Sequence, residues 1–243
     1  MKLSLTQSQP LRGAGAMHGL SPRMRGLIFG LIGLGLLLVV TAFWFAVARP
    51  VKVLPRIKPL PAFVLQDQYG MPLNASDLYG RQVLINFTYT NCGEACAAQR
   101  QSLVTLRETL RAEGLLGSEV LFLTISFDPE RDTTLALQTY AAQLGADRES
   151  WRFMTGDPVE LKRLIGGELG VYYATPDESG QIKHDQHVIL MDWSGEMRAR
   201  YKGELDQSKL LRDLGMLREE MGSSGLMRGV YEASHIFLCY PPD

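Results

Sequence analysis

The sequence predicts a three-layer α/β sandwich around a mixed sheet, preceded by one N-terminal transmembrane helix. Three observations carry this. An uncharged apolar run occupies residues 26–48. After it, near-continuous runs of β-formers alternate with segments of helical periodicity, as expected for parallel strands buried on both faces. Two further strand-like runs flank Trp193-Ser194-Gly195, which adds an antiparallel hairpin to the parallel pair.

The first 25 residues form a basic tail with Lys2, Arg12, Arg23 and Arg25 and no acid. The run at 26–48 reads GLIFGLIGLGLLLVVTAFWFAVA. At about 1.5 Å per helical residue it is long enough for the roughly 30 Å of bilayer hydrocarbon, and Phe43 and Trp44 sit near one end, where aromatic rings favour the interface. Ala46-Val47-Ala48 also offers a small-x-small cleavage pattern. The run exceeds the roughly 7–15 residues of a signal-peptide core, and we read an uncleaved anchor. Four basic residues precede the span and four follow it, so charge alone does not orient it. Residues 49–61 (RPVKVLPRIKPLP) carry four prolines and no acid, an extended spacer.

The main domain is expected at 62–222. Residues 83–87 and 120–125 read as central strands. Between them Leu103, Leu106 and Leu110 recur at helical spacing, and Gly114 supplies a stop. A second helix follows Asp132 as N-cap, with Leu135, Tyr140 and Leu144 inward and Gly145 at its end. A third opens at Asp157-Pro158 and closes at Gly166-Gly167. Residues 186–192 and 197–201 form the hairpin, and a last helix from Asp206 carries Leu210, Leu214, Leu217 and Met221 on one stripe. The C-terminal extension, 223–243, is left without assigned structure.

Composition narrows the function. The chain has 25 Lys+Arg against 26 Asp+Glu, a net charge of −1, yet residues 1–60 hold eight basic residues and no acid. The main domain is therefore acidic, which excludes a nucleic-acid partner, since such binding depends on cations that neutralise phosphates. With 46% hydrophobic and 21% charged residues the chain is not disordered as a whole. Three cysteines are too few for a disulfide-stapled scaffold, so thiol chemistry must be local.

That chemistry points to Cys92 and Cys96, in Thr90-Asn91-Cys92-Gly93-Glu94-Ala95-Cys96 directly after the 83–87 strand. Four residues apart on a helix is one turn, which puts both sulfurs on one face. Cys92 would stand at the helix N-terminus, where orphan N–H groups favour a thiolate. Such a pair can close a disulfide or clamp a soft metal such as Cu(I). The plainer reading is two apolar-behaving cysteines that share a face. A third ligand would most often be an imidazole. His184 lies in the loop before the 186–192 strand, whereas His187 falls inside it, on the face of Ile189 and Met191, as a core histidine. Asp132 reads as a helix cap and Asp128 as a turn acid before proline; a role in positioning the thiol loop is the other reading for both. The ten methionines are scattered singly and read as core filler. Cys239 reads as a free thiol in a peripheral tail.

Tyr89-Thr90-Asn91-Cys92-Gly93-Glu94-Ala95-Cys96 resembles the thiol motif of the Sco/SenC family, copper-binding assembly factors for cytochrome c oxidase. Ser126-Phe127-Asp128-Pro129-Glu130-Arg131-Asp132-Thr133 is similar to its Asp-Pro-x-x-Asp loop, and Trp151-Arg152-Phe153-Met154-Thr155-Gly156 to its Trp-x-x-x-Thr-Gly segment. His184, eleven residues before Gly195, falls where the family places its copper-ligand histidine. The sequence departs from the pattern at Gly93 and Ala97, where the family commonly has proline, and at Lys183, where it usually has aspartate.

The resemblance implies a thioredoxin-like fold and one copper, Cu(I) or Cu(II), held by Cys92, Cys96 and His184, the cysteines also forming a redox-active pair. It further implies a domain anchored in the cytoplasmic membrane and facing the periplasm or an equivalent space, with the basic tail cytoplasmic. The implied partners are the copper-site subunit of the oxidase and an upstream copper donor or thiol reductant. Two functions follow from the same sulfurs: a copper chaperone, which is the leading reading, and a thiol-disulfide oxidoreductase that reduces the target's cysteines. Three residues between the cysteines, rather than two, and the lack of any proline between Pro176 and Pro241 argue against a general thioredoxin-type reductase.

Overall fold

The structure, a computed structural model, describes residues 21–48 and 51–237. It divides into two units at Pro50. The first is one helix, α1 (Pro22–Ala48), whose stretch Pro22–Trp44 has the length and hydropathy of a membrane span. The helix begins four residues earlier than the uncharged run, because Arg23 and Arg25 are good helix formers. Most of the basic tail and Cys239 lie outside the described residues.

The second unit is built on an eight-stranded sheet. In chain order its elements are β1 (Lys58–Pro59), β2 (Val64–Asp67), β3 (Pro72–Asn74), β4 (Gln82–Thr88), α2 (Ala97–Ala112), β5 (Val120–Ser126), α3 (Thr134–Gln143), β6 (Trp151–Thr155) and α4 (Pro158–Leu161). They continue with β7 (His187–Met191), β8 (Glu196–Lys202), α5 (Gln207–Gly222) and α6 (Gly225–Phe237). The strand order is β1-β8-β7-β4-β5-β6-β2-β3. β4, β5 and β6 run parallel, and β7 lies antiparallel to β4. The predicted parallel pair and hairpin are therefore joined in one mixed sheet.

Alternation along the strands sends side chains to two cores. Val83, Ile85, Phe87, Leu121, Leu123 and Ile125 fill one face. Leu84, Phe122, Trp151 and Phe153 fill the other, together with Leu103, Leu106 and Leu110 of α2. Each such side chain, fully buried, contributes about 1.5–3 kcal/mol. Asn86, Thr88 and Thr124 are polar positions on the second face, at the ends of β4 and β5 nearest the cysteines.

Several expectations are corrected. Asp132 does not cap α3; Thr133 does, accepting from the Ala136 N–H. Of the expected inward residues of α3, Leu135 is 71% exposed, while Tyr140 and Leu144 pack half-buried against the core whose buried members on this helix are Leu137 and Ala141. Met221, at the C-terminal end of the α5 stripe, is 39% exposed. α4 passes at Lys162 into a π-helical stretch ending at Glu168, where Gly166-Gly167 loosens the turn. β1, β2, β3 and β6 were not anticipated. The 223–243 segment contains α6, joined to α5 by His235 Nε2 and Glu220 Oε1 at 2.9 Å. A fully buried Arg198 binds Asp192 at 2.7 Å and Glu220 at 2.8 Å. It also donates to the carbonyls of Leu54 and Pro55, fixing the chain that enters the domain.

Candidate metal centre

Parallel strands end together, and the loops that follow them converge on one rim, where ligands of open α/β sheets gather. The thiol loop follows β4, the Asp128 loop follows β5, and the loop before β7 reaches the same rim because β7 is antiparallel to β4.

Cys92 lies in the loop itself and not on a helix. A 3-10 turn, Glu94–Cys96, intervenes before α2 begins at Ala97, so that Cys96 takes the N-cap position. The two cysteines form a disulfide with Cα atoms 5.7 Å apart, and each is 2% exposed. The structure brings His184 to them: its Nε2 is 3.4 Å from the Cys96 sulfur. The two sulfurs and one imidazole nitrogen lie within 4.8 Å of one another.

The histidine is oriented by its other nitrogen. Nδ1 lies 2.9 Å from the Ile182 carbonyl, which accepts a hydrogen bond from it, so that Nε2, turned to the sulfur, is the nitrogen the neutral ring offers as a ligand. The ring packs against Phe127 at 4.8 Å and edge-on to Tyr89 at 6.0 Å. Tyr173 stacks on Phe127, and Tyr173 and His184 form an isolated antiparallel bridge. Lys183, beside the histidine, is exposed and its carbonyl accepts from the Ala174 N–H.

Tyr89 ties the histidine loop to the thiol loop. Its hydroxyl donates to Gln181 Oε1 at 2.8 Å and accepts from the Ile182 N–H at 3.0 Å. An unbroken chain thus runs from Tyr89 through Ile182 to His184. Arg131 closes the same loop from the third side, donating to the Gly180 carbonyl at 2.7 Å and pairing with Asp128. Gly180 has φ +79°, a conformation that favours glycine, and a Cβ there would also displace the Arg131 guanidinium from the loop.

Asp132, fully buried, holds the thiol loop. It accepts from the Thr90 N–H at 3.0 Å and from the Ser126 hydroxyl. Burial pushes its carboxyl up from the usual range, against the hydrogen bonds from Ser126 and Thr90 that pull it down. Asp128 is buried too, with Arg131 as its partner. Sequence reasoning favoured cap and turn roles for these acids, and it gave no role to Tyr89, Gln181 or Arg131. The available signal for Tyr89 was a tyrosine at the end of a buried strand, whose hydroxyl must find a partner. His187 stands apart from the cluster, 5% exposed within β7. His235 binds Glu220 on the α5–α6 side.

A family model described as SCO1/SenC matches residues 56–219. The mitochondrial SCO2 homolog of Homo sapiens is 32% identical over 197 residues, which span 75% of this chain and 71% of its own. The solved structure of BsSco is described as that of a member of the Sco family of cytochrome c oxidase assembly proteins, with a disulfide switch. It superposes with TM-score 0.60 at 23% identity, over 68% of this chain and 98% of its own. Bradyrhizobium japonicum ScoI, solved with copper bound, gives TM-score 0.54 at 26% identity, over 64% and 96%. These likenesses bear out the thioredoxin-like sandwich.

Proposed function

The chain belongs to the SCO1/SenC family, and from that premise we propose that it is a membrane-anchored copper chaperone serving cytochrome c oxidase. Copper is its cargo, held by Cys92, Cys96 and His184. The observation that carries the reading is the convergence of two sulfurs and the Nε2 of a histidine whose Nδ1 is already engaged. Two soft thiolates with one imidazole suit Cu(I), and the imidazole also serves Cu(II). A relative solved with copper bound and a relative described as an oxidase assembly protein support the cargo and the destination.

The disulfide must open before copper enters. A dithiol partner supplies two electrons and two protons, the S–S bond breaks, and the partner closes its own disulfide. Copper then displaces the thiol protons as it binds. Asp132 and Tyr89 keep the two loops in place while the sulfurs separate. The redox-active pair also supports a second reading, in which the opened dithiol passes two electrons and two protons to a disulfide of the target and closes its own. Both reactions use the same sulfurs, and metal uptake separates them.

The test is the copper content of the reduced protein, with and without Cys92→Ser or Cys96→Ser. Wild type is expected to take up one copper and, as Cu(II), to show intense thiolate-to-copper charge transfer. Each serine variant should lose both. One copper with an unchanged spectrum in either variant places the site elsewhere, and a redox-active wild type that takes up none favours the oxidoreductase.

A further inference from the structure

Behind Cys96, between α2, α3 and the ends of β4, β5 and β6, lies a small cavity of ≈ 10 Å³. Its lining includes Asn86, Thr88, Cys96, Gln99, Thr124 and Trp151. Three of these satisfy one another. The Trp151 indole N–H donates to the Thr124 hydroxyl at 2.7 Å, and that hydroxyl donates to Asn86 Oδ1 at 2.7 Å. Two do not: Gln99 Nε2 and Thr88 Oγ1 are buried with no hydrogen-bond partner among the protein's own atoms. The residues are 3% and 8% exposed. A buried, unpaired amide donor destabilises the fold that contains it, and its presence asks for an explanation.

The explanation lies one helical turn away. Gln99 and Cys96 are at i+3 and i of the same helix start, hence on one face. In the disulfide state the Cys96 sulfur is committed to Cys92, and Cys96 makes no side-chain capping bond at the head of α2. When a dithiol reduces the pair, the S–S bond breaks and two electrons and two protons reach the sulfurs. The Cys96 sulfur then gains acceptor capacity, most of all as thiolate. We propose that Gln99 is a positioning residue for the redox step: its carboxamide N–H donates to the Cys96 sulfur only once the disulfide has opened. A bond available in one state alone biases the pair toward that state, here the reduced, copper-competent one. The inference rests on the proposed function only for the premise that the pair is opened in use.

The experiment uses the full chain in detergent, free of metal, equilibrated with reduced and oxidised dithiothreitol and scored by thiol alkylation. Gln99→Met keeps the length and removes the donor. Its equilibrium constant for reduction should fall about fivefold to tenfold, tenfold being ~30 mV for a two-electron couple. Thermal unfolding supplies the readout that a merely structural role would not give. The oxidised variant should match or exceed wild type, because an unpaired buried donor has been removed, while the reduced variant should be less stable. Thr88→Val should shift the equilibrium less than twofold.

The proposal is overturned by an equilibrium for Gln99→Met within twofold of wild type, by equal loss of stability in both redox states, or by a Thr88→Val shift as large as that of Gln99→Met. If Gln99→Met does not fold, Gln99→Asn, which withdraws the amide by one methylene, must give the same shift. Copper uptake by pre-reduced wild type is a separate arm. Its failure would retire the chaperone reading and leave the Gln99 result intact.

Discussion

His184 and His187 are three residues apart, yet the start of β7 between them separates their chemistry. His184 precedes the strand, half-buried, with Nδ1 held by Ile182 and Nε2 turned to Cys96. Replacing it with alanine removes one ligand of three and should weaken copper binding by about 1–3 kcal/mol and shift the Cu(II) charge-transfer band. Competition titration and visible absorption read both, and an unchanged affinity would remove His184 from the site. His187 lies inside the strand, where burial, then the charge of Arg200 and that of Lys202, hold its pKa below the ordinary histidine value while Asp185 opposes them. Unfolded, it takes up a proton near pH 6.5; folded, only at lower pH. The unfolded chain therefore binds more protons in that window, and stability declines as pH falls below about 6.5. His187→Gln should flatten this decline in urea unfolding and leave copper affinity unchanged. Asp132, whose carboxyl burial raises, works in the opposite sense but is common to both proteins, so it cancels when the variant is compared with wild type.

At the scale of elements, the site is three loops held by groups distant in sequence. Local pattern places Cys92 and Cys96 after a strand and His184 before one, and that much is legible from residues alone. The second tier is not. Asp132 and Thr133 are both capping types, and sequence cannot choose between them. The choice is made by Thr90, 42 residues away, which claims Asp132 and leaves Thr133 to cap α3. β1, β2 and β3 span two to four residues each, too few to display a period. α6 is fixed by contacts to other elements, the Glu232–Arg56 ion pair and the His235–Glu220 hydrogen bond, which no local signal announces. The Tyr89 link makes the point testable. Tyr89→Phe keeps the ring against Phe127 and His184 but leaves the buried Ile182 N–H without its acceptor. It should lower stability by about 1–3 kcal/mol. It should also weaken copper binding, with a broadened Cu(II) spectrum, at an unchanged count of two reducible cysteines. A variant as unstable as expected but with wild-type copper affinity and spectrum would confine Tyr89 to a packing role.

Taken whole, the domain separates function from support along the strand axis. The cysteines follow the C-terminal end of β4, whereas Asp192, beyond the end of antiparallel β7, sits beside the start of β4, where Arg198 gathers Asp192, Glu220 and the entering chain. Removing one member of that network would strand a buried charge, at a cost of about 3–5 kcal/mol, without touching the rim that carries the sulfurs. The alternation of strands and helices made this architecture legible, because central strands buried on both faces leave an unambiguous apolar run. Charge alone does not orient the apolar helix, because basic residues flank it equally, and in the sequence only the family resemblance implies an outward-facing domain. A physical argument now bears on it. Cys92 and Cys96 form a disulfide, and such bonds persist in extracytoplasmic space while cytosolic thiol pools reduce them. We therefore expect the domain to face the periplasm or an equivalent space, tethered by α1. Alkaline phosphatase fused after residue 61 should be active, and a reporter that works only in the cytoplasm should be silent at the same point. The reverse pattern would put the pair in a reducing compartment, where the disulfide would not accumulate, and would overturn the oxidase-assembly reading together with the orientation.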